Sequence, residues 1–183
     1  MTFSTSTSTT AERLRSDFDD SFARQRQAVA ATTEEFLAIR IGDDPYALRI
    51  TAVTGLFSDR KITPLPGPIS DLLGLAGFRS SLAPIYDLRS LMGRPGHDQP
   101  RWLVLTAVPA GVLGLAFDHF EGYFRLGREH LSEPPAGNAR RHVVQVAQTA
   151  AGARPIIHLP SLIDIITERA GTRQPRLARS TES

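Results

Sequence analysis

The chain contains no cysteine, a single lysine and a single tryptophan among its 183 residues. Without cysteine there is no disulfide, no thiolate nucleophile and no sulfur ligand for a metal, which fits a reducing compartment. No apolar run approaches the roughly 20 residues of a membrane span. The start, Met1-Thr2-Phe3-Ser4-Thr5, lacks the charged and apolar parts of a secretion signal. A cytoplasmic protein without direct membrane insertion is therefore expected. The lone Lys61 stands away from the nearest glycine loop, Gly74-Leu75-Ala76-Gly77, which also lacks the third glycine of a dinucleotide fingerprint, so no nucleotide cofactor is expected.

Catalytic and metal signatures are equally sparse. None of His97, His119, His130, His142 and His158 stands four residues from another, the spacing of a helical metal pair, so no metal is expected. His158, between Ile157 and Leu159, reads as a hydrogen-bonded histidine on a strand. None of Ser58, Ser70, Ser80, Ser81 and Ser90 sits on a glycine-flanked elbow. No catalytic residue is assigned, and the chain does not read as an enzyme.

Charge first suggests a nucleic-acid binder, because the isoelectric point is ≈ 9.5. The formal net charge is only +2. From Glu168 onward Arg169, Arg173, Arg176 and Arg179 face Glu168 and Glu182, so the tail supplies the whole excess. A neutral body has no phosphate-binding footprint. Arg101-Trp102 and Tyr123-Phe124-Arg125 are the local places where bases and aromatics interleave, and no nucleic-acid partner is expected.

What is present is a soluble composition, 41% hydrophobic and 22% charged, able to bury a core. Residues 1–10 are nearly all Ser and Thr and read as disordered. In Ala11 to Ala31, Leu14, Phe18, Phe22 and Val29 stand at near-helical spacing, which reads as a short amphipathic helix packed on its own domain or docking a partner. Residues 1–33 thus form an extension, 34–170 the folded domain and 171–183 a disordered basic tail.

Within the domain, Leu37, Ile39 and Ile41 alternate with Phe36, Ala38 and Arg40 as in a half-buried strand. Gly42-Asp43-Asp44-Pro45 turns it into a partner strand from Tyr46 to Ile50. Apolar stretches at Leu72 to Phe78 and Ser81 to Leu88 follow a segment dense in proline. Trp102 to Val108 and Val112 to Phe117 form a hairpin about Pro109-Ala110-Gly111. Val143 to Ala147 and Pro155 to Leu159 form another, turning at Ala150-Ala151-Gly152. Ser161 reads as the cap of a final helix that stops at Gly171. The loop 93–100 reads as the seam between two halves. Many short strands with few helices predict an all-β protein of small barrels.

The order of these pieces resembles the CheW-like domain of bacterial chemotaxis. Glu35-Phe36-Leu37-Ala38-Ile39-Arg40-Ile41-Gly42-Asp43-Asp44-Pro45-Tyr46-Ala47-Leu48 resembles the family's opening strand, turn and second strand. Gly74-Leu75-Ala76-Gly77-Phe78-Arg79-Ser80-Ser81-Leu82-Ala83-Pro84-Ile85-Tyr86-Asp87-Leu88-Arg89 is similar to its central signature. Val112-Leu113-Gly114-Leu115-Ala116-Phe117-Asp118 resembles a later strand ending in Asp. The resemblance runs from about Glu35 to Thr167. It implies two fused five-stranded SH3-like β-barrels with short helices, one of them a C-terminal cap, and no catalysis. It implies two partners, a methyl-accepting chemoreceptor tip and the regulatory domain of a CheA-type histidine kinase, and recruitment to receptor arrays. It places partner-binding positions at Val53, Leu56, Leu113 and Gly114 in a groove between the barrels, with Arg79 and Asp87 of the signature counted beside them.

Three departures stand out. An acidic residue that the family often places early, as a partner for the signature arginine, falls at Gly55. The turn asparagine and glycine are replaced by Gly77 and Ser80. The family's Asp near the end of the last strand falls at His158. Either partner recognition has shifted, or the protein is an accessory regulator that binds one partner. A retained adaptor role is favoured, since an apolar groove core supplies more of an interface's energy than one rim charge.

Overall fold

A computed structural model describes residues 33–67, 69–78, 81–96, 100–135 and 142–171. The expectations for the N-terminal extension, for Arg79 and Ser80, for His97 and for the basic tail beyond residue 171 lie outside the described residues.

The expected first hairpin is present as β1 (Thr33–Ile41) and β2 (Asp44–Arg49), turning at Gly42 with φ +61. Only glycine takes that left-handed conformation without cost. The expectation of a half-buried β1 needs correcting, because Phe36, Leu37, Ala38 and Ile39 are all buried. The strand lies inside a sheet rather than at its rim, and both of its faces are covered.

After a 3-10 turn at Ile50–Ala52 the chain enters a second sheet. That sheet is built from β3 (Gly55–Ser58), β4 (Leu72–Phe78), β5 (Ser81–Asp87), β6 (Trp102–Val108) and β7 (Gly111–Phe117), in the order β3-β6-β7-β5-β4. The helix α1 (Leu88–Leu91) follows β5. The chain then returns with β8 (His119–Gly127), β9 (Leu131–Ser132), β10 (Val143–Thr149) and β11 (Gly152–Ile157). These complete the first sheet in the order β8-β1-β2-β11-β10-β9. The helix α2 (Leu159–Gly171) closes the chain.

The two sheets are therefore not the two halves of the sequence. The loop 93–100 was expected to be the seam, yet it joins α1 to β6 within the second sheet. Glycine and proline reveal a connection, not which sheets it connects. The crossings occur at the 3-10 turn and at Asp118, the single residue between β7 and β8. Asp118 is buried, its Oδ2 accepts from the Gly42 N–H at 2.5 Å, and its Oδ1 lies 3.8 Å from the Arg89 guanidinium. One carboxylate thus ties the crossing to the β1–β2 turn and to α1.

Among the described residues three apolar clusters follow from this arrangement. The largest lies between the sheets, with Leu37, Ile39, Ile41, Tyr46 and Leu48 from the first meeting Val104, Leu113, Leu115 and Phe117 from the second. Leu162 and Ile166 of α2 join it. Phe78, Ile85, Leu103 and Leu105 fill the second sheet, and Phe36, Ala47, Ala147 and Ile156 fill the first. The helix starts earlier than Ser161, with Leu159 its first residue. The capping acceptor is His158, whose Nδ1 receives the Ser161 N–H at 3.3 Å, while Ser161 Oγ donates to the His158 carbonyl. His158 is accordingly a helix-start residue beyond β11, not a strand residue. Far along the helix Arg169 pairs with Asp71 ahead of β4, tying α2 to the second sheet.

Candidate protein-docking groove

The groove is made by a register shift. β8 pairs with β1 as Leu37↔Tyr123 and Ala38↔Gly122, then slips to Ile39↔Phe120, leaving Glu121 as the extra residue of a β-bulge. In a regular strand Phe120 and Tyr123, three apart, would face opposite ways. Because Leu37 and Ile39 share one face of β1, the bulge turns both aromatic rings to the side between the sheets. Their centroids lie 5.1 Å apart in an edge-on arrangement, and Phe120 also meets Trp102 of β6 at 5.2 Å. Three rings from two sheets thus form one wall. Phe124 points to the other side and stacks on Phe36 at 5.2 Å.

Beside this wall lies a depression of ≈ 510 Å³ lined by Glu35, Ile50, Tyr123, Phe124 and Arg125. Tyr123 is 64% exposed, a large ring left open to solvent. Ile50 is half-buried and packs on the cluster between the sheets, as do Val53 and Leu56. At the end of the depression Arg125 pairs with Glu35 at 2.5 Å. The site is an open apolar strip with a paired charge at its mouth, a form suited to a protein side chain more than to chemistry. Among the described residues no group of three or more His, Asp or Glu stands ready to hold a metal.

The sequence-derived positions divide by burial. Val53 and Leu56 are half-buried and pack on the cluster between the sheets, outside the residues that line the depression. Leu113 and Gly114 are buried within the sheets and give the region its shape rather than its contact surface. A Cβ on Gly114 would stand 2.4 Å from Ile85 Cδ1, so close packing of β7 on β5 depends on that glycine. Asp87 is buried and caps α1, its Oδ1 accepting the Arg89 N–H at 2.9 Å. Gly55, where the family often has an acid, begins β3, and a Cβ there would meet the Phe57 ring at 2.7 Å. The ring occupies the space that a side chain would need.

Ile50, Trp102, Phe120 and Tyr123 were not singled out as groove residues from the sequence. The three aromatics are a visible cluster of ring types, but only the bulge places them together, and its signal, Gly122 inside a strand with φ +145, is a weak one. Behind the groove, at the other end of the same bulge, Glu121 bridges Arg40 of β1 and Arg154 of β11 at 2.6 Å each. Burial pushes the Glu121 carboxyl up, but the hydrogen bonds and charges of Arg154 and Arg40 outweigh it and hold it below the ordinary carboxylate range. A second depression of ≈ 240 Å³ lies on β10 and β11, lined by Ser132, Pro134, Pro135, Val146 and Pro155 among others.

Residues 35–167 match the model of the CheW-like domain. The chain is 27% identical to the protein FrzA of Myxococcus xanthus over 156 residues, covering 82% of this chain and 98% of that one. It is 30% identical to a probable chemotaxis protein CheW of Rhizobium etli over 86 residues, 46% of this chain and 56% of the other. The crystal structure of the scaffolding protein TtCheW from Thermoanaerobacter tengcongensis superposes with a TM-score of 0.61 at 19% identity, covering 68% of this chain and 88% of that one. At that identity the likeness concerns the fold, which is that of two β-barrel-like subdomains.

Proposed function

From the premise that the chain belongs to the CheW-like family, whose members are scaffold-type coupling proteins of chemotaxis, we propose that it is a non-catalytic adaptor joining a chemoreceptor tip to a CheA-type histidine kinase. The receptor's helical hairpin lies along the groove between the sheets, and the kinase regulatory domain meets a separate surface of the barrels. The observation that carries this reading is the aromatic wall Trp102–Phe120–Tyr123, assembled from both sheets and left open at Tyr123. An exposed ring beside a packed apolar floor is the composition of an interface centre. Val53 and Leu56 extend the apolar surface, Leu113, Gly114 and Asp87 hold its shape, and Arg79 of the signature supports the contacts. Such a protein works in the cytoplasm, recruited to receptor arrays.

The test is binding to a receptor hairpin and to a kinase regulatory domain, measured separately and together by calorimetry. Tyr123→Asp is expected to weaken the hairpin at least tenfold, about 1.4 kcal/mol, and to leave the kinase affinity unchanged. Arg79→Asp is expected to cost a partner more than about 2 kcal/mol, as an interface anchor does, with little loss of stability. Unchanged hairpin binding in Tyr123→Asp would remove the groove from the interface. The packing of Phe57 over Gly55 favours a second reading, an accessory regulator, and binding of one partner alone would select it.

A further inference from the structure

We propose that the bridge Arg40–Glu121–Arg154 aims the groove's aromatic wall. By holding Glu121 on the side of β8 away from the groove, it selects Phe120 as the residue that lies between the sheets. Glu121 is thus a positioning residue for the groove. Its consequence for a partner rests on reading the groove as a docking site, whereas its consequence for the rings does not.

A choice exists because the ladder has a mismatch. His119 pairs with Arg40 and Gly122 with Ala38, so between those pairs β8 carries Phe120 and Glu121 while β1 carries Ile39 alone. Two residues compete for one partner, and whichever stands opposite Ile39 faces the cluster between the sheets, to which Ile39 belongs. With Phe120 in that place its ring meets Trp102 at 5.2 Å and Tyr123 at 5.1 Å. With residue 121 in that place Phe120 becomes the extra residue of the bulge and both ring contacts break. Tyr123, 64% exposed, then loses the ring that backs it.

Glu121 is held away from Ile39 by more than its own polarity. Its Oε1 accepts from Arg40 Nε of β1, and its Oε2 pairs with Arg154 Nη2 of β11, each at 2.6 Å. In the sheet order β11 stands three places from β8, so one carboxylate joins strands that do not pair with each other. Arg40 has other acceptors: its Nη1 donates to the Asp43 carbonyl at 2.7 Å, and the carboxylates of Asp43 and Asp44 act on it beside Glu121. Arg154 depends on Glu121 more heavily. Its side chain is only 14% exposed, and its Nη1 is buried without a hydrogen-bond partner among the described residues. Turning Glu121 toward Ile39 would take the carboxylate away from a nearly buried guanidinium, which is strongly unfavourable.

Glu121→Val offers an apolar residue at both positions and leaves nothing to hold residue 121 away from Ile39. The readout is nuclear Overhauser contacts in the full-length protein without a partner. The parent is expected to show Ile39 against Phe120, and the Phe120 ring against Trp102 and Tyr123. In Glu121→Val the ring contacts should fall severalfold and a contact between Ile39 and residue 121 should appear. The single variant is also expected to melt earlier, because Arg154 keeps its charge. Adding Arg154→Met removes that charge, so the melting temperature should recover while the ring contacts stay lost. Ring contacts that persist in the double variant mark an ion pair that only stabilises, and overturn the proposal. Glu121→Gln, which can still accept from one arginine, should fall between parent and valine. If Glu121→Val folds in neither background, unchanged ring contacts in Glu121→Gln overturn the proposal instead. A receptor hairpin is expected to bind the double variant severalfold more weakly than the parent. Equal binding, with Tyr123→Asp still weakening it, overturns the positioning role and leaves the docking reading intact. If the hairpin binds no form while the ring contacts change as expected, the adaptor reading fails and the bridge's hold on the wall stands.

Discussion

Gly74 sits where the strap between β3 and β4 crosses the second sheet. Its φ is +146, and a Cβ would come within 2.1 Å of the Thr63 carbonyl oxygen, which accepts the Leu75 N–H at 2.9 Å while the Thr63 N–H donates to the Leu75 carbonyl at 2.8 Å. A side chain there meets the strap's own backbone at Thr63 and Pro64, and no rotamer relieves it. Gly74→Ala is expected to cost more than about 2 kcal/mol, combining strain at a positive φ with displacement of the strap, as read from a urea melt. By contrast Gly77, where an added Cβ would meet nothing within 4 Å and the φ is not positive, is expected to accept alanine almost without cost. Glu121 makes a second prediction at this scale. Its carboxyl is held below its ordinary range, so the unfolded chain binds the proton more readily. The stability it contributes is present above the unfolded value of about 4.3 and is lost as pH falls through the lower folded value. The side chain is 27% exposed, so solvent screening limits the effect to about 1 kcal/mol. Glu121→Gln is expected to flatten the fall in urea midpoint between about pH 6 and pH 3 relative to the parent, and an unchanged slope would show that the two arginines are not what lowers the carboxyl.

Among the elements, the hairpins were legible because a two-fold period bounded by turn residues has few other meanings. β6 and β7 match the expected spans to within one residue. β8 was not legible as a strand, and the reason is physical. Its bulge breaks the alternation, and as an edge strand it carries His119, Glu121, Tyr123 and Arg125 exposed among half-buried neighbours, so no apolar run marks it. The α2 cap was misplaced by three residues because a histidine ring serves where a serine hydroxyl was expected, and a ring nitrogen is a rare cap beside Ser, Thr, Asp or Asn. The same helix bears on stability. Leu162 is fully buried in the cluster between the sheets and Ile163 packs at its edge. Leu162→Ala is expected to destabilise the fold by about 2–5 kcal/mol, the range for emptying a core leucine site, whereas the exposed Asp164 should tolerate alanine within about 0.5 kcal/mol. Equal effects of the two, measured by chemical denaturation, would mean that the helix is not docked.

At the scale of the whole molecule the chain order decides how the protein comes apart. β3 to β7 form one contiguous stretch inserted between β2 and β8, while the first sheet is assembled from both ends of the domain. The fold class could be read from strand length and turn density, but this interleaving could not, because local pattern reports what a segment is and not which distant segment it pairs with. Among the described residues the two parallel contacts, β11 on β2 and β5 on β7, both join strands that are not neighbours in sequence. Since the largest cluster takes residues from both sheets and from α2, neither sheet can open without exposing the apolar face of the other. Unfolding is therefore expected to be a single cooperative step. Trp102, the one tryptophan, lies in the second sheet and touches Phe120 of the first, so its fluorescence reports the junction while far-ultraviolet circular dichroism reports all strands. Coincident urea midpoints and slopes for the two signals are expected, and Leu48→Ala, a buried change in the first sheet, should move both together by about 2–5 kcal/mol. A tryptophan transition that stayed in place while the dichroism shifted would mean that the sheets are separate folding units and that the cluster between them is an interface, not a core. In that case the groove would be a hinge whose width a partner can change. With coincident transitions it is a fixed slot, and a partner must fit the width that the packed sheets set.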